Sequence, residues 1–253
     1  MISYRVIPVL LLQNGGLVKT RQFKKPTYVG DPINAIKIFN EKEVDELVFL
    51  DIDASKEKRG PDFGLLEQIA SECFMPLGYG GGIRTVADVN RIFSIGIEKV
   101  IFNTAAFTNE AVIKVAAREA GNQSVVVSID IKKNLLGKRG LFSHAGAPLP
   151  KMDPISFARH MQDTGAGELI LNAVDRDGMM DGYDIDLIEQ IADAVEIPVV
   201  ACGGAGNLDH FKQAVHKGNA SAVAAGSMFV FHGPLKGVLI NYPSQEKLKI
   251  IFE

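Results

Sequence analysis

Asp51, Asp130, Asn172, Asp175 and Asp177 sit at, in or just beyond short apolar runs rich in β-branched residues: ELVFLDI, VVVSID and ELILNAVD. A carboxyl placed directly behind such a run is held at the edge of a packed interior. Desolvation there raises its pKa, which suits proton transfer near neutral pH. Asp130, behind VVVSI, is on this ground the best candidate for a general acid or base; a rim aspartate that bonds loop amides is the structural alternative. Other apolar runs end in glycine: Gly80-Gly81-Gly82, Gly203-Gly204-Ala205-Gly206 and Gly226-Ser227, with Asn103-Thr104 in the equivalent place after a fourth. Glycines let backbone N–H groups come close to an anion, and a following helix N-terminus adds a favourable dipole. One such turn means little, because turns need glycine anyway. Two in matching places read as two phosphate cradles, gripping a ligand with a phosphate at each end.

The elements that position these residues are written twice. Residues 46–107 and 168–229 align without a gap at a constant offset, with 15 of 62 positions identical, including Gly60/Gly182, Asp62/Asp184, Gly81-Gly82/Gly203-Gly204 and Gly96/Gly218. Apolar matches could arise by chance between two amphipathic units, but the shared glycines and aspartates argue for duplication. Each copy alternates β-rich runs of four to six residues with helical patterns of ten to thirteen, the signature of βα units and a parallel sheet. The expected strands lie near 5–12, 46–52, 76–80, 99–102, 124–131, 168–174, 198–202 and 222–225. Two four-strand halves closing on themselves predict an α/β fold, a single (β/α)8 TIM barrel spanning 1–253, and the length fits that fold. One polar stretch, 132–152, interrupts the alternation and reads as a hairpin-like insertion after strand five; loops of that length are usually functional or mobile.

Net charge is −3, with 27 basic residues scattered among 30 acidic ones, so nothing invites nucleic acid. No apolar stretch approaches a membrane span, and the opening MISYRVIPVLLLQNGG reads better as strand one than as a signal peptide, so a soluble cytoplasmic protein is expected. Cys73 and Cys202 have no metal-type spacing and read as structural thiols. His144 falls in the insertion and His160, His210, His216 and His232 in or beside helices, too dispersed for a metal cluster. Neither metal nor cofactor is expected.

The segments DELVFLDI, GGGIRT, EKVIFNTAA, SIDIKK, GELILNAVDRDGMMDGYD and ACGGAGNLDHF resemble the cyclase subunit family of imidazole glycerol phosphate synthase, from about Tyr4 to Phe231. The resemblance implies a barrel that receives ammonia from a separate glutaminase subunit, paired one to one, and uses it on a ligand with two phosphates. It implies one phosphate site at Gly82, Asn103 and Thr104, a second at or beside Asp177, Gly178, Gly204 and Ser227, and a mobile loop after strand one carrying Lys19 and Phe23. Asp130 matches one of the family's two catalytic aspartates. Arg5, Glu46, Lys99 and Glu168 match a ring of charges gating ammonia at the opposite end of the barrel, and Glu98 a position that docks the partner. A structural plug is the other reading of that ring.

The family's second catalytic aspartate belongs at the end of strand one, where this chain reads VLLLQNGG with Leu11. Aligning strand one on strand five also places Leu11 against Asp130. A leucine cannot transfer a proton. Asn172 stands where the family usually has a hydroxyl, Met179 follows DRDG, and AAGSMF carries an extra glycine. The C-terminal run FVFHGPLKGVLINYP resembles that of a paralogous branch found with surface-polysaccharide (O-antigen, lipopolysaccharide) genes, where a glutaminase and a cyclase-like barrel assist a sugar amidotransferase. The expected function is therefore ammonia delivery in support of sugar amidation. Two alternatives stay open: a working histidine-pathway cyclase in which Asp51, Asp177 or a water covers for Leu11, and a non-catalytic scaffold that activates the glutaminase.

Overall fold

The computed structural model describes residues 4–233 and 235–253. In chain order it contains β1 (Arg5–Gln13), β2 (Gly16–Arg21), β3 (Lys24–Gly30), α1 (Pro32–Glu41), β4 (Leu47–Asp51), α2 (Phe63–Glu72), β5 (Leu77–Gly80), α3 (Val86–Ile95), β6 (Lys99–Phe102), α4 (Thr104–Thr108) and α5 (Glu110–Ala120). The second half follows with β7 (Val125–Lys133), β8 (Arg139–Leu141), α6 (Pro154–Thr164), β9 (Glu168–Ala173), α7 (Ile185–Ala192), β10 (Val199–Cys202), α8 (Leu208–His216), β11 (Ala222–Ala225) and α9 (Ser227–Val230). β12 (Phe231–His232), β13 (Gly237–Val238) and α10 (Gln245–Phe252) end it. Eight parallel strands run in the order β1-β4-β5-β6-β7-β9-β10-β11, and β11 pairs back onto β1 to close the barrel. All eight expected strands are present to within two residues at each end. No helix among the described residues is long and apolar enough to cross a membrane.

The duplication is visible in the elements. Shifting β4, α2, β5 and α3 by the sequence offset lands on β9, α7, β10 and α8. The shared residues have nevertheless diverged. Asp62 caps α2 by accepting from the Leu65 N–H, whereas its counterpart Asp184 is bound by Arg139 and Lys133 and fastens the β7–β8 hairpin to the barrel. Gly96 closes α3 in the left-handed conformation (φ 102°), the usual reason for glycine at a helix end. Its counterpart Gly218 is glycine for another reason, since a side chain there would press on the Ala214 carbonyl and Ile188.

Three details differ from the sequence-based expectations. The segment after strand one, expected as a mobile loop, is a β-hairpin, β2–β3; Gln22 and Phe23 form its tight turn at positive φ (53° and 61°), and β2 is buried from Leu17 to Thr20. The insertion begins inside strand five rather than after it, because β7 continues to Lys133 and returns as β8. His232 lies in the small β12–β13 ladder, of which Pro234 falls outside the described residues.

Because side chains alternate along a strand, the barrel interior is built in layers. At the N-terminal ends the inward positions are Arg5, Glu46, Lys99 and Glu168. Lys99 Nζ donates to Glu46 at 2.9 and 3.0 Å and to Glu168 at 2.7 Å, and the Arg5 guanidinium bonds both carboxylates from the other side. Glu46 and Glu168 are only 3% and 4% exposed, so each survives as an anion through its two cations. Above the ring lies a layer of Ile7, Val9, Val48, Ile101, Ile170 and Val200, apolar but for Ser128 level with Ile170. Removing one cation should leave the two glutamates undercompensated. Arg5→Ala is expected to cost about 3 kcal/mol, read as a lower urea midpoint at unchanged slope.

Candidate active site at the barrel mouth

The next inward layer opens into a cavity at the C-terminal ends of the strands, lined among others by Leu11, Asp51, Asn103, Asp130, Asn172 and Cys202. Strand order puts the two glycine cradles four strands apart, on opposite sides of the mouth, as the repeat requires. Gly81, Gly82, Gly203 and Gly204 all have positive φ (130°, 69°, 85° and 116°). A side chain at Gly204 would run into the Gly182 carbonyl oxygen and Arg176, and one at Gly82 into the Arg59 carbonyl, so these turns admit only glycine. In each half the longer helix that follows is closed by a side chain, Thr85 on α3 and Asn207 on α8. The short helices α4 and α9, beginning at Thr104 and Ser227, have no side-chain cap. Their N-terminal N–H groups face the mouth uncovered, which suits an anion at either end of one ligand.

Asn103 could have capped α4 but turns inward instead, donating through Nδ2 to the Ser128 carbonyl (2.9 Å) and to Asp130 Oδ2 (3.1 Å). Asp130 is 5% exposed, and burial first, then the nearby Asp177, push its pKa up to about 7 against the opposing pull of Asn103 and Asn172. The expectation from VVVSI thus finds its physical counterpart. Lys19, on β2, reaches into the cavity, where its ammonium donates to the Val9 carbonyl and lies against Gly226. Burial lowers its pKa to about 8, opposed by Asp177 and Cys202. The Cys202 thiol is pushed up to about 12, chiefly by burial, and is inert at neutral pH.

Asp177 is raised by burial and accepts from Thr20 Oγ1 at 2.9 Å and the Phe23 N–H at 3.4 Å. Together with the Gln22 N–H on the Asp177 carbonyl (2.8 Å), these bonds latch the tip of β2–β3 to the turn after β9. Gly178 completes the latch, since any Cβ there would collide with the Thr20 carbonyl. Phe23 packs on Phe142 and His144, so the two hairpins meet above the pocket; sequence reasoning gave His144 no place there.

Two sequence-predicted residues also make structural bonds. Asp51 lines the cavity, yet Oδ1 accepts from the Asp53 and Ala54 N–H groups and from Arg59, while Oδ2 binds Arg59 at 2.7 Å. It organises the β4–α2 loop and has no carboxylate oxygen left for proton transfer. Glu98, at the other end of the barrel, accepts from the Leu77 N–H at 2.7 Å and so ties down the first residue of β5 while remaining exposed. Leu11 lines the wall of β1, four strands from Asp130 around the barrel, beside Leu50. No group of three or more His, Cys, Asp or Glu among the described residues could hold a metal.

The raised pKa of Asp130 has a thermodynamic sign. Between the ordinary carboxyl value and about 7 the folded protein binds a proton that the unfolded chain has released, so stability falls as pH rises through that window. Asp130→Asn removes the penalty. It should stabilise the protein by a few kcal/mol at about pH 9 and by almost nothing at about pH 4, read from denaturant unfolding at both.

The family profile described as "Histidine biosynthesis protein" matches residues 5–235. A Pseudomonas aeruginosa protein named "Putative imidazole glycerol phosphate synthase subunit hisF2" is 51% identical over 250 residues, covering 99% of this chain and 100% of the relative. Similarly named proteins of Vibrio vulnificus (hisF3) and Leptospira interrogans are 48% and 47% identical, covering 100% of this chain and 98% and 100% of theirs. The barrel, its cradles and these matches agree, and the chain belongs to the histidine biosynthesis protein family.

Proposed function

We propose that this protein is the cyclase-like barrel subunit of a glutamine amidotransferase system, and that it takes ammonia from a glutaminase partner in support of amidating a sugar in surface-polysaccharide biosynthesis. The observation that carries the reading is the one-sided pocket: Asp130 faces it across from Leu11, while the two other carboxyls of the lining are taken up, Asp51 by Arg59 and two backbone N–H groups and Asp177 by Thr20 and the Phe23 N–H. Closing a ring on a bisphosphate ligand asks for proton transfer on both sides of that ligand. A pocket with a hydrocarbon on one side supports binding and nitrogen transfer but not the second proton step.

The other end supports an ammonia route. The Arg5, Glu46, Lys99, Glu168 ring crosses the barrel axis, and behind it about 13 Å of apolar wall separates Glu168 from Asn172 along β9. Neutral ammonia can cross such a layer, whereas ammonium would have to shed its water with only hydrocarbon in return. Lys99 is the movable member, one flexible stem against the bidentate fork of Arg5. A glutaminase would dock on this face beside Glu98, and the two cradles with Lys19 would hold the phosphorylated ligand. A sugar amidotransferase would then accept the nitrogen.

A second reading, histidine-pathway ring closure by this chain itself, is favoured by the names its relatives carry. One assay separates the two: turnover of the ribulosyl bisphosphate intermediate with saturating ammonium, which needs no partner. We expect the wild-type chain to be slower than an ordinary cyclase by about 10²–10⁴-fold, and Leu11→Asp to regain part of the rate. Wild-type turnover at a normal rate would return the protein to histidine biosynthesis. The gate is tested separately with the glutaminase complex: Lys99→Ala should alter glutamine-dependent activity and leave ammonium-dependent activity unchanged.

A further inference from the structure

Among the described residues, one buried side-chain N or O atom has no hydrogen-bond partner: Oδ1 of Asn172. A buried acceptor left unpaired is destabilising, and this one lies in the cavity wall beside the best acid–base candidate. Asn172 is the register partner of Asp130 across β7 and β9, and their side chains are within hydrogen-bonding reach. On its other side Oδ1 borders a small space over Gly203, at 2.7 Å from the point that a Cβ there would occupy. The Ala173 carbonyl oxygen borders the same space, 2.8 Å from that point. The Ala173 oxygen already accepts the Arg176 and Asp177 N–H groups, both at 3.0 Å, so it has no donor to share with Asn172.

The Asn172 carboxamide thus has an acceptor on each side, the Asp130 carboxyl on one and the Ala173 oxygen on the other. A carboxamide offers one donating and one accepting end. If its NH2 turns to Asp130, two oxygens face each other over Gly203; if its NH2 turns to Ala173, Oδ1 faces Asp130, and that contact is favourable only when Asp130 carries a proton. Asn103 has no such freedom, since its NH2 is fixed by the Ser128 carbonyl as well as by Asp130 Oδ2. The orientation of an amide is set by its network, and the neutral acid alone gives Oδ1 a donor while Nδ2 still faces an acceptor.

We propose that Asn172 is the positioning residue for the Asp130 proton: in the resting protein Oδ1 accepts a hydrogen bond from the neutral Asp130 carboxyl, Nδ2 donates towards Ala173, and the amide reverses when Asp130 gives the proton to its ligand. The step is one proton transfer. An O–H bond of Asp130 breaks, a bond from that proton to a basic ligand atom forms, and the carboxylate left behind takes Nδ2 of Asn172 and Nδ2 of Asn103 as donors. Gly203 gives the reversing amide its room, which a side chain would fill. The other groups around Asp130 act in the same sense or stand aside. Asp177 disfavours a second carboxylate, and Cys202 is a neutral thiol. The Lys19 ammonium is engaged by the Val9 carbonyl, with the Asp177 charge nearby, and His144, on the insertion, has its pKa lowered chiefly by burial. With Asn172 as a donor, burial first and then the nearby Asp177 already bring Asp130 up to about 7; an acceptor in its place moves it further.

This inference does not depend on which reaction the pocket performs, so its test uses the ligand-free protein. The Asp130 ¹³Cγ and Asn172 ¹⁵Nδ2 signals would be followed across a pH series in wild type and in Asn172→Thr, whose hydroxyl can donate or accept and no longer forces a choice. We expect an Asp130 midpoint above about 7, an Asn172 NH2 signal that moves with that same midpoint, and a midpoint lower by roughly one unit, tenfold in proton affinity, in Asn172→Thr. An Asn172 NH2 signal unchanged while Asp130 titrates would overturn the proposal, as would an unchanged midpoint in a folded Asn172→Thr. Should that variant fail to fold, the wild-type NH2 signal decides alone.

Discussion

Inside a closed barrel of eight strands each strand can offer only every second side chain to the axis, and the whole organisation of this protein follows from that restriction. The inward series on β1 is Arg5, Ile7, Val9, Leu11; on β9 it is Glu168, Ile170, Asn172. Read across the strands, these series become a charged floor, a hydrocarbon middle and a polar mouth. The middle layer isolates the two polar ends from each other and from water. Its low polarity forces the floor to neutralise itself in a four-membered ring and makes the carboxyl at the mouth reluctant to ionise.

Duplication supplies the symmetry of the mouth, and divergence supplies its chemistry. The two halves still place a glycine turn and an uncapped short helix at equivalent points, so the pocket keeps uncovered backbone N–H groups at two ends. Between those ends the halves no longer match. Asp130 on β7 faces a leucine on β1, and Leu50 on β4 corresponds to Asn172 on β9. One wall of the pocket is hydrocarbon and the other carries an acid with two amides. A ligand lying between the cradles therefore meets proton chemistry on one face only, an asymmetry imposed by two side chains on an otherwise two-fold scaffold.

The barrel strands were legible because β-branched runs alternated with helical periods, and the cradles because glycine followed the strands twice in register. The burial of Asp130 was legible because a run such as VVVSI belongs to the interior, although the same run also fitted a rim aspartate that bonds loop amides. Asp51 was not: its neighbours announce a strand end, but its capture by Arg59, eight residues on, is a loop conformation that no periodicity encodes. The β2–β3 hairpin escaped for a related reason. The segment from Gly16 to Gly30 is polar on its outer strand, with Lys24, Lys25 and Tyr28 exposed, so half of its alternation is missing from the sequence. The latch of Thr20 and Phe23 onto Asp177 joins residues more than 150 positions apart and appears only once the barrel has closed.

The same closure explains why a lysine can serve at this mouth. Lys19 sits on the hairpin and not on a barrel strand, so its ammonium enters the cavity from above, where the Val9 carbonyl receives it and the Asp177 charge favours it. Burial lowers its pKa to about 8, so its charge is held at neutral pH by contacts that exist only while the hairpin is latched. Anything that lifts the hairpin returns Lys19 to solvent, removes the Thr20 and Phe23 donors from Asp177, and lets water approach Asp130. Pocket electrostatics and hairpin position are in this way one equilibrium. An anionic ligand between the two glycine turns would gain from the Lys19 charge only in the latched state and so favour it through differential affinity, preserving the dry surroundings in which Asp130 holds its proton.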